Sequence, residues 1–265
     1  LFIPTGGKGS KMRRIFLVSA LTVILLMKVN YTFAERPFST EDAGVAGKGV
    51  FQLELGAEYV RERNRDKLYF LQFVPIYGVT YRLELSAELP YKFSEIKEGE
   101  DIRGLEDVIL ALKALAVKEG DNNPALLLKI VIKFDSGNED NGLGSGDKDL
   151  GFVAVASNGI GNFTLHSNVG YTFVGKDYDP SFKNYILYGI AGEYFITEKT
   201  NLMAEIYGES NSHFHIGAFK QHNFQTLLGL TYQLTEKIVI DSGVKIGLLD
   251  NSPDYGLTFG LSINF

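Results

Sequence analysis

The sequence predicts an all-β protein, a closed antiparallel up-and-down transmembrane β-barrel of about twelve strands. Three observations predict it. From Val50 to the end, runs of about ten residues alternate apolar and polar side chains, the length a tilted strand needs to cross a bilayer. The connections between runs alternate long and polar with short and tight. The chain closes on "YGLTFGLSINF", whose alternate residues Tyr255, Leu257, Phe259, Leu261, Ile263 and Phe265 oppose only Gly, Thr, Ser and Asn.

Composition agrees. The 265 residues include 29 Gly, 14 Tyr and 19 Phe against 7 Pro, a balance that suits pleated strands and their turns. The absence of Cys excludes disulfides and thiolate chemistry. Residues 1–34 are set aside as an upstream extension plus a secretory signal peptide. Met12-Arg13-Arg14 supplies a basic start, Ile15 to Met27 an apolar stretch, and Thr32-Phe33-Ala34 a cleavage site. We expect translation to start at Met12 and cleavage to follow Ala34. The removed part carries Lys8, Lys11, Arg13, Arg14 and Lys28 and no acidic residue, so 21 basic side chains remain against 32 acidic ones. That balance argues against nucleic acid as a partner.

Residues 35–49 ("ERPFSTEDAGVAGKG") show no strand pattern and are expected as a periplasmic or lumenal segment, with the lumen preferred. Gly44, Gly47 and Gly49 suit a chain confined in a narrow space. The barrel is expected over 50–265. Its runs fall at 50–61, 68–77, 80–93, 103–117, 125–135, 148–157, 161–174, 184–196, 200–209, 222–234, 237–248 and 254–265. In the first, Phe51, Leu53, Leu55, Ala57 and Tyr59 oppose Gln52, Glu54, Gly56 and Glu58. In the fifth, Leu126, Leu128, Ile130, Ile132 and Phe134 oppose Lys129, Lys133 and Asp135. The second and eighth are apolar on both sides and leave their facing open.

Alternation alone does not say which face is inside, because a soluble sandwich and an outer-membrane barrel use the same strands with opposite orientation. The connections decide. "ERNRDK", "SEIKEGEDI", "SGNEDNGLGSGD", "GKDYDPSFK", "ESNSHFHIGAFKQ" and "DNSPD" lie at one end, and "GV", "NGI", "TEK" and a second "TEK" at the other, where only "KEGDNNP" is long. Long outer loops and short periplasmic turns belong to membrane barrels, and an even strand count lets the sheet close with no edge in lipid. The aromatics Tyr59, Tyr91, Phe93, Phe134, Phe173, Tyr255 and Phe265 then suit interfacial girdles.

The stretch "RPFSTEDAGVAGKGVFQLELGAEY" (Arg36 to Tyr59) resembles the opening of the outer-membrane family named for the MetA pathway of phenol degradation. The Gly-rich acidic "NEDNGLGSGDKDLGF" is similar to that family's mid-chain loop. The resemblance covers essentially the whole mature chain. It implies the outer membrane of a Gram-negative-type bacterium, passage of small organic compounds, and a terminal Phe read by barrel-insertion machinery. No functional residues come with it.

No group of residues carries an enzymatic reading. His166 and Ser167 are adjacent on a strand and so point to opposite faces, which denies them a general-base contact. His213 and His215, with His222 nearby, lack further ligands for a metal. "DSGNEDNGLGSGDKD" lacks the ordered spacing of a calcium loop and is not followed by the Gly-Lys-Ser/Thr of a phosphate loop. We therefore expect no enzyme, cofactor or metal. The candidate site is the lining, with Glu54, Glu58, Arg82, Glu84, Glu88, Lys113, Lys129, Lys133, His166, Glu205, Asp241 and Lys245 inward. Tyr255, Phe259 and Phe265 are the candidate insertion signal. Expected partners are outer-membrane lipid, lipopolysaccharide, the insertion machinery and a small solute. The expected function is passive passage of small molecules, aromatic or hydrophobic ones included; the alternative is a plugged, structural or surface-interaction barrel.

Overall fold

The computed structural model describes residues 36–177, 179, 182–210 and 222–265. Thirteen strand segments form one sheet: β1 (Phe51–Arg61), β2 (Lys67–Gly78), β3 (Leu83–Glu95), β4 (Ile102–Leu105), β5 (Ile109–Val117), β6 (Ala125–Lys133), β7 (Asp149–Ile160), β8 (Phe163–Phe173), β9 (Tyr185–Thr197), β10 (Thr200–Ser210), β11 (His222–Thr235), β12 (Ile238–Gly247) and β13 (Tyr255–Asn264). β4 and β5 both pair with β3, so together they make one stave and the barrel has twelve. All pairings along the sheet are antiparallel, and β1 pairs with both β2 and β13, which closes it. The seam runs from Gln52↔Asn264 to Arg61↔Tyr255, and the Phe265 N–H donates to the Phe51 carbonyl at 2.9 Å. The terminal strand therefore has no open edge, which is the condition for a sheet in lipid.

The barrel is apolar outside and polar inside. Leu71, Leu128, Ile190 and Phe259 are 56–60% exposed, while Glu54 (4%), Lys113 (2%) and Asp241 (6%) are buried. A continuous outer belt of this kind is stable in hydrocarbon and not in water, and the period of two enforces it on every stave. Aromatics gather at both rims. Tyr59 stacks against Tyr69 (5.3 Å) and Tyr255 (5.9 Å), and Tyr69 against Phe93 (5.5 Å), near the long-loop end. Phe51 meets Phe265 at 5.5 Å near the short-turn end.

The structure adjusts several boundaries. The run 103–117 is interrupted by residues 106–108, which leave the ladder. The run 80–93 begins later, at Leu83, because Thr80 Oγ1 accepts the N–H groups of both Arg82 and Leu83 at 3.0 Å and holds 79–82 as a turn. The two ambiguous runs acquire a facing: Leu68, Phe70 and Ile76 on β2 and Ala191 on β9 are buried inward, with Leu71, Phe73, Tyr77, Ile186, Tyr188 and Ile190 outward. The expected signal peptide falls in 1–35, outside the described residues. Among the described residues no helix is long and apolar enough to cross a membrane.

Candidate channel lumen

The segment 36–49 has no ladder of its own, so its backbone polar groups must be satisfied elsewhere. They are satisfied by the barrel wall. The Ser39 N–H donates to Glu205 Oε2 at 3.0 Å and the Thr40 N–H to Glu205 Oε1. The Ala43 N–H donates to Ser157 Oγ at 2.9 Å, and the Ala46 N–H to Glu84 Oε2 at 2.5 Å. Charge adds to this. The Glu41 carboxylate bridges two wall ammonium groups, Lys113 at 2.5 Å and Lys129 beside it. Arg36 donates to Gln72, to Thr258 Oγ1 at 2.9 Å and to the Phe259 carbonyl at 3.3 Å, and its Nε lies 3.8 Å from Asp241. The segment thus reaches β2, β3, β5, β6, β7, β10, β12 and β13 and crosses the bore.

Two glycines make room for it. Gly56 and Gly260 face each other across the β1–β13 seam, and a Cβ on either would collide with the Arg36 guanidinium. The small inner face of "YGLTFGLSINF" is the wall of that notch. Lower down, Ala43 packs into a buried apolar cluster with Ala125, Leu127, Val153 and Val155. The segment then turns through Gly49, whose φ of 79° a side chain would strain, and Gly49 N–H donates to the Gly78 carbonyl at 2.7 Å as β1 begins.

Of the lining residues expected from sequence, Glu54, Glu58, Glu84, Glu88, Lys113, Lys129, Lys133, His166, Glu205, Asp241 and Lys245 face the interior as buried or half-buried side chains. Arg82 does not. It is exposed in the 79–82 turn at the short-turn rim, where it donates to the Ala116 carbonyl at 3.2 Å. Asp135 likewise is exposed, because β6 stops at Lys133. Several inward charges pair, Lys245 with Glu58 at 2.8 Å and Lys133 with Asp107 at 2.8 Å, and the Gln72 amide donates to Glu88 at 2.9 Å. Pairing is what makes so many charges tolerable away from bulk water. Tyr255, Phe259 and Phe265 point outward, 40%, 60% and 64% exposed.

A cross-strand contact escaped the sequence. Ser157 lies directly opposite His166 in the β7–β8 register, with Oγ···Nδ1 at 2.8 Å, and His166 Nε2 lies 3.7 Å from Glu193 Oε1. This has the order of an acyl-transfer relay. However, Ser157 Oγ already accepts the Ala43 N–H, and Ser157 and His166 are 7% and 2% exposed. A carbonyl substrate would have to occupy the place of the segment. The trio is a brace for the segment. His166 and Ser167 point to opposite faces, as alternation requires.

The acidic Gly-rich stretch folds over one side of the mouth. Asp107, in the break between β4 and β5, accepts the N–H groups of Ser136 (3.1 Å), Gly137 (2.9 Å) and Ser145 (3.0 Å). Lys92 reaches the Gly142 carbonyl at 3.4 Å, and Leu143 is buried over Gly104. The Lys133 ammonium also donates to Asp107 Oδ2 at 2.8 Å, so one carboxylate gathers the loop's N–H groups and a wall lysine. Asp107→Ala is therefore expected to release residues 134–148, seen as faster protease cleavage there with the barrel intact; unchanged cleavage would remove Asp107 from that role. Among the described residues no group of three His, Cys, Asp or Glu is placed to hold a metal; His213 and His215 lie outside them.

Between Arg36–Ser39 and the long-loop end lies a cavity of about 350 Å³. Its walls include Glu58, Val60, Phe70, Gln72, Glu88, Tyr207, Glu209, Asn223, Gln225 and Lys245. Twelve strands at about 4.8 Å spacing and about 40° tilt give a backbone diameter of roughly 24 Å. Inward side chains and the segment narrow the bore, and this cavity lies within it on the long-loop side of the segment.

Solved structures share the architecture. The COG4313 outer membrane channel from Pseudomonas putida F1 is similar with a TM-score of 0.64 at 15% identity, over 84% of this chain and 98% of that one. The NanC porin is similar with a TM-score of 0.56 at 12% identity, covering 80% of this chain and 98% of that one. The KdgM porin follows at 0.55 and 8%, covering 81% and 99%. At these identities the likeness shows the fold. Comparison with curated protein sequences finds no match. The family described as "Putative MetA-pathway of phenol degradation" matches residues 34–265, from just before the lumenal segment to the closing Phe265, and the chain belongs to that family.

Proposed function

We propose that this protein is an outer-membrane channel for passive passage of small molecules, narrowed by its own residues 36–49. The observation that carries the reading is the inverted barrel: a polar and charged inner face around a cavity of about 350 Å³, inside an apolar outer belt. The long loops face outward and the short turns the periplasm, as in other barrels of this architecture. Phe265, at the seam, serves as the address read by insertion machinery, and lipopolysaccharide contacts the outer belt and loops. No step of bond making is involved. Passage is limited to solutes that fit beside the segment, aromatic or hydrophobic ones included, since Phe70 and Val60 line the cavity.

Liposome swelling tests this. Vesicles carrying the purified chain are expected to swell in small solutes and to exclude disaccharides and larger ones. A second reading, a sealed structural barrel, is favoured by the number of staves that hold the segment. Absence of swelling with any solute would select it and remove the passage reading.

A further inference from the structure

We infer that the cavity above residues 36–39 holds a selective site for small organic cations, in which Glu209 binds an ammonium group and Val60 and Phe70 receive the hydrocarbon body. The inference deepens the passage reading and rests on it for its role in choosing solutes.

Glu209 sits near the long-loop end of β10 and is 9% exposed. Its Oε1 accepts the Tyr207 hydroxyl at 2.5 Å, and among the described residues no basic side chain lies within ion-pair distance of it. Of the other two carboxylates that line the cavity, Glu58 is neutralised by Lys245 at 2.8 Å and Glu88 accepts the Gln72 amide at 2.9 Å. Burying a carboxylate without a counter-charge is costly, and a site that keeps one facing a cavity is prepared to receive a cation. Directly opposite in the β10–β11 register stands Asn223, also 9% exposed, whose Oδ1 has no hydrogen-bond partner. A carboxylate and an amide oxygen side by side are both acceptors, so they call for a ligand with two or more N–H donors.

The rest of the cavity fixes the other end of the ligand. Val60 and Phe70 are buried in an apolar cluster with Leu68, and Val60 and Phe70 line the same space. A volume of about 350 Å³ is of the size that takes one small molecule of a single ring, and one apolar wall with a few convergent polar groups is the usual make-up of such a site. A charged donor on a carboxylate forms the stronger class of hydrogen bond, so the cation is preferred over a neutral molecule of the same shape. An anion meets the uncompensated Glu209 and is rejected.

Three probes of one size separate these terms: benzylammonium, benzyl alcohol and benzoate, titrated calorimetrically into the full chain in detergent micelles. Benzylammonium is expected to bind at least about tenfold more tightly than either of the others. Glu209→Gln keeps the acceptor for Tyr207 and is expected to cost benzylammonium about tenfold while leaving benzyl alcohol unchanged. Lys245→Gln, which frees the Glu58 carboxylate in the same cavity, is expected to tighten benzylammonium binding. Equal binding of the three probes, or an unchanged benzylammonium affinity in a folded Glu209→Gln variant, overturns the site. Binding is read without a membrane, so an absence of swelling in liposomes would remove the passage reading and leave this result standing, and the reverse holds equally.

Discussion

A chain lacking residues 36–48 is expected to pass about threefold more current, or more, than the intact chain once each is reconstituted in planar bilayers. The expectation follows from the space available. A barrel of twelve staves has a backbone diameter of roughly 24 Å, and inward side chains reduce the free width by about half. A single chain with its side chains is about 10 Å thick, so the segment occupies most of what is left. It is also held there by the wall. Glu205 takes two of its N–H groups, Glu84 and Ser157 one each, and Arg36 lies in the notch between Gly56 and Gly260. Deletion returns these wall groups to water, which satisfies them, so the barrel should persist. Leu127, Val153 and Val155 lose Ala43 and become wet, which should lower thermal stability while β-sheet circular dichroism is retained. Equal currents from the two chains would mean that the segment does not limit the bore.

The second large effect concerns Glu41. Its carboxylate is shared by Lys113 and Lys129, which are 2% and 16% exposed as side chains. Glu41→Gln keeps the shape and removes the charge, leaving two ammonium groups against each other with their shared acceptor gone. Breaking a buried ion pair by removing one partner typically costs about 3–5 kcal/mol. Because Glu41 is on the segment and both lysines are on the wall, the cost falls on docking. The undocked state is reached more easily by the same amount, so amide hydrogen exchange at residues 39–46 is expected to accelerate about a hundredfold or more, with strand amides unaffected. Exchange at the intact rate would show that the charge does not anchor the segment. The absence of Cys in the chain also lets a labelled cysteine report the same motion without background.

The fold was legible because a period of two is enforced along every stave. Glu54, Lys129 and Asp241 could be placed inward from the sequence, since a charge in lipid is costly and each stands opposite an apolar stripe. Where the rule blurred, the cause was the lumen itself. In the second and eighth runs both faces read as apolar because Leu68, Phe70, Ile76 and Ala191 point inward; Leu127, Val153 and Val155 point inward as well and pack on Ala43. Apolar residues on an inner face thus mark where something fills the bore, a signal that the alternation carries but does not explain. Arg82 was misplaced because a side chain, Thr80, sets where β3 begins, and periodicity does not see turn chemistry. The part of Asp107 in holding the 134–148 loop depends on a break in the stave, which alternation does not show. The Ser157–His166 contact needed the register between two strands, which sequence spacing within one strand does not contain.

The most direct test is the current carried by the intact chain across a planar bilayer with a potassium chloride gradient. Around the cavity the carboxylates of Glu58, Glu88 and Glu209 outnumber Arg36 and Lys245. A small, steady single-channel conductance is expected, with a reversal potential on the cation-selective side. No conductance above the bare bilayer, from a preparation shown to be inserted and folded, would contradict it.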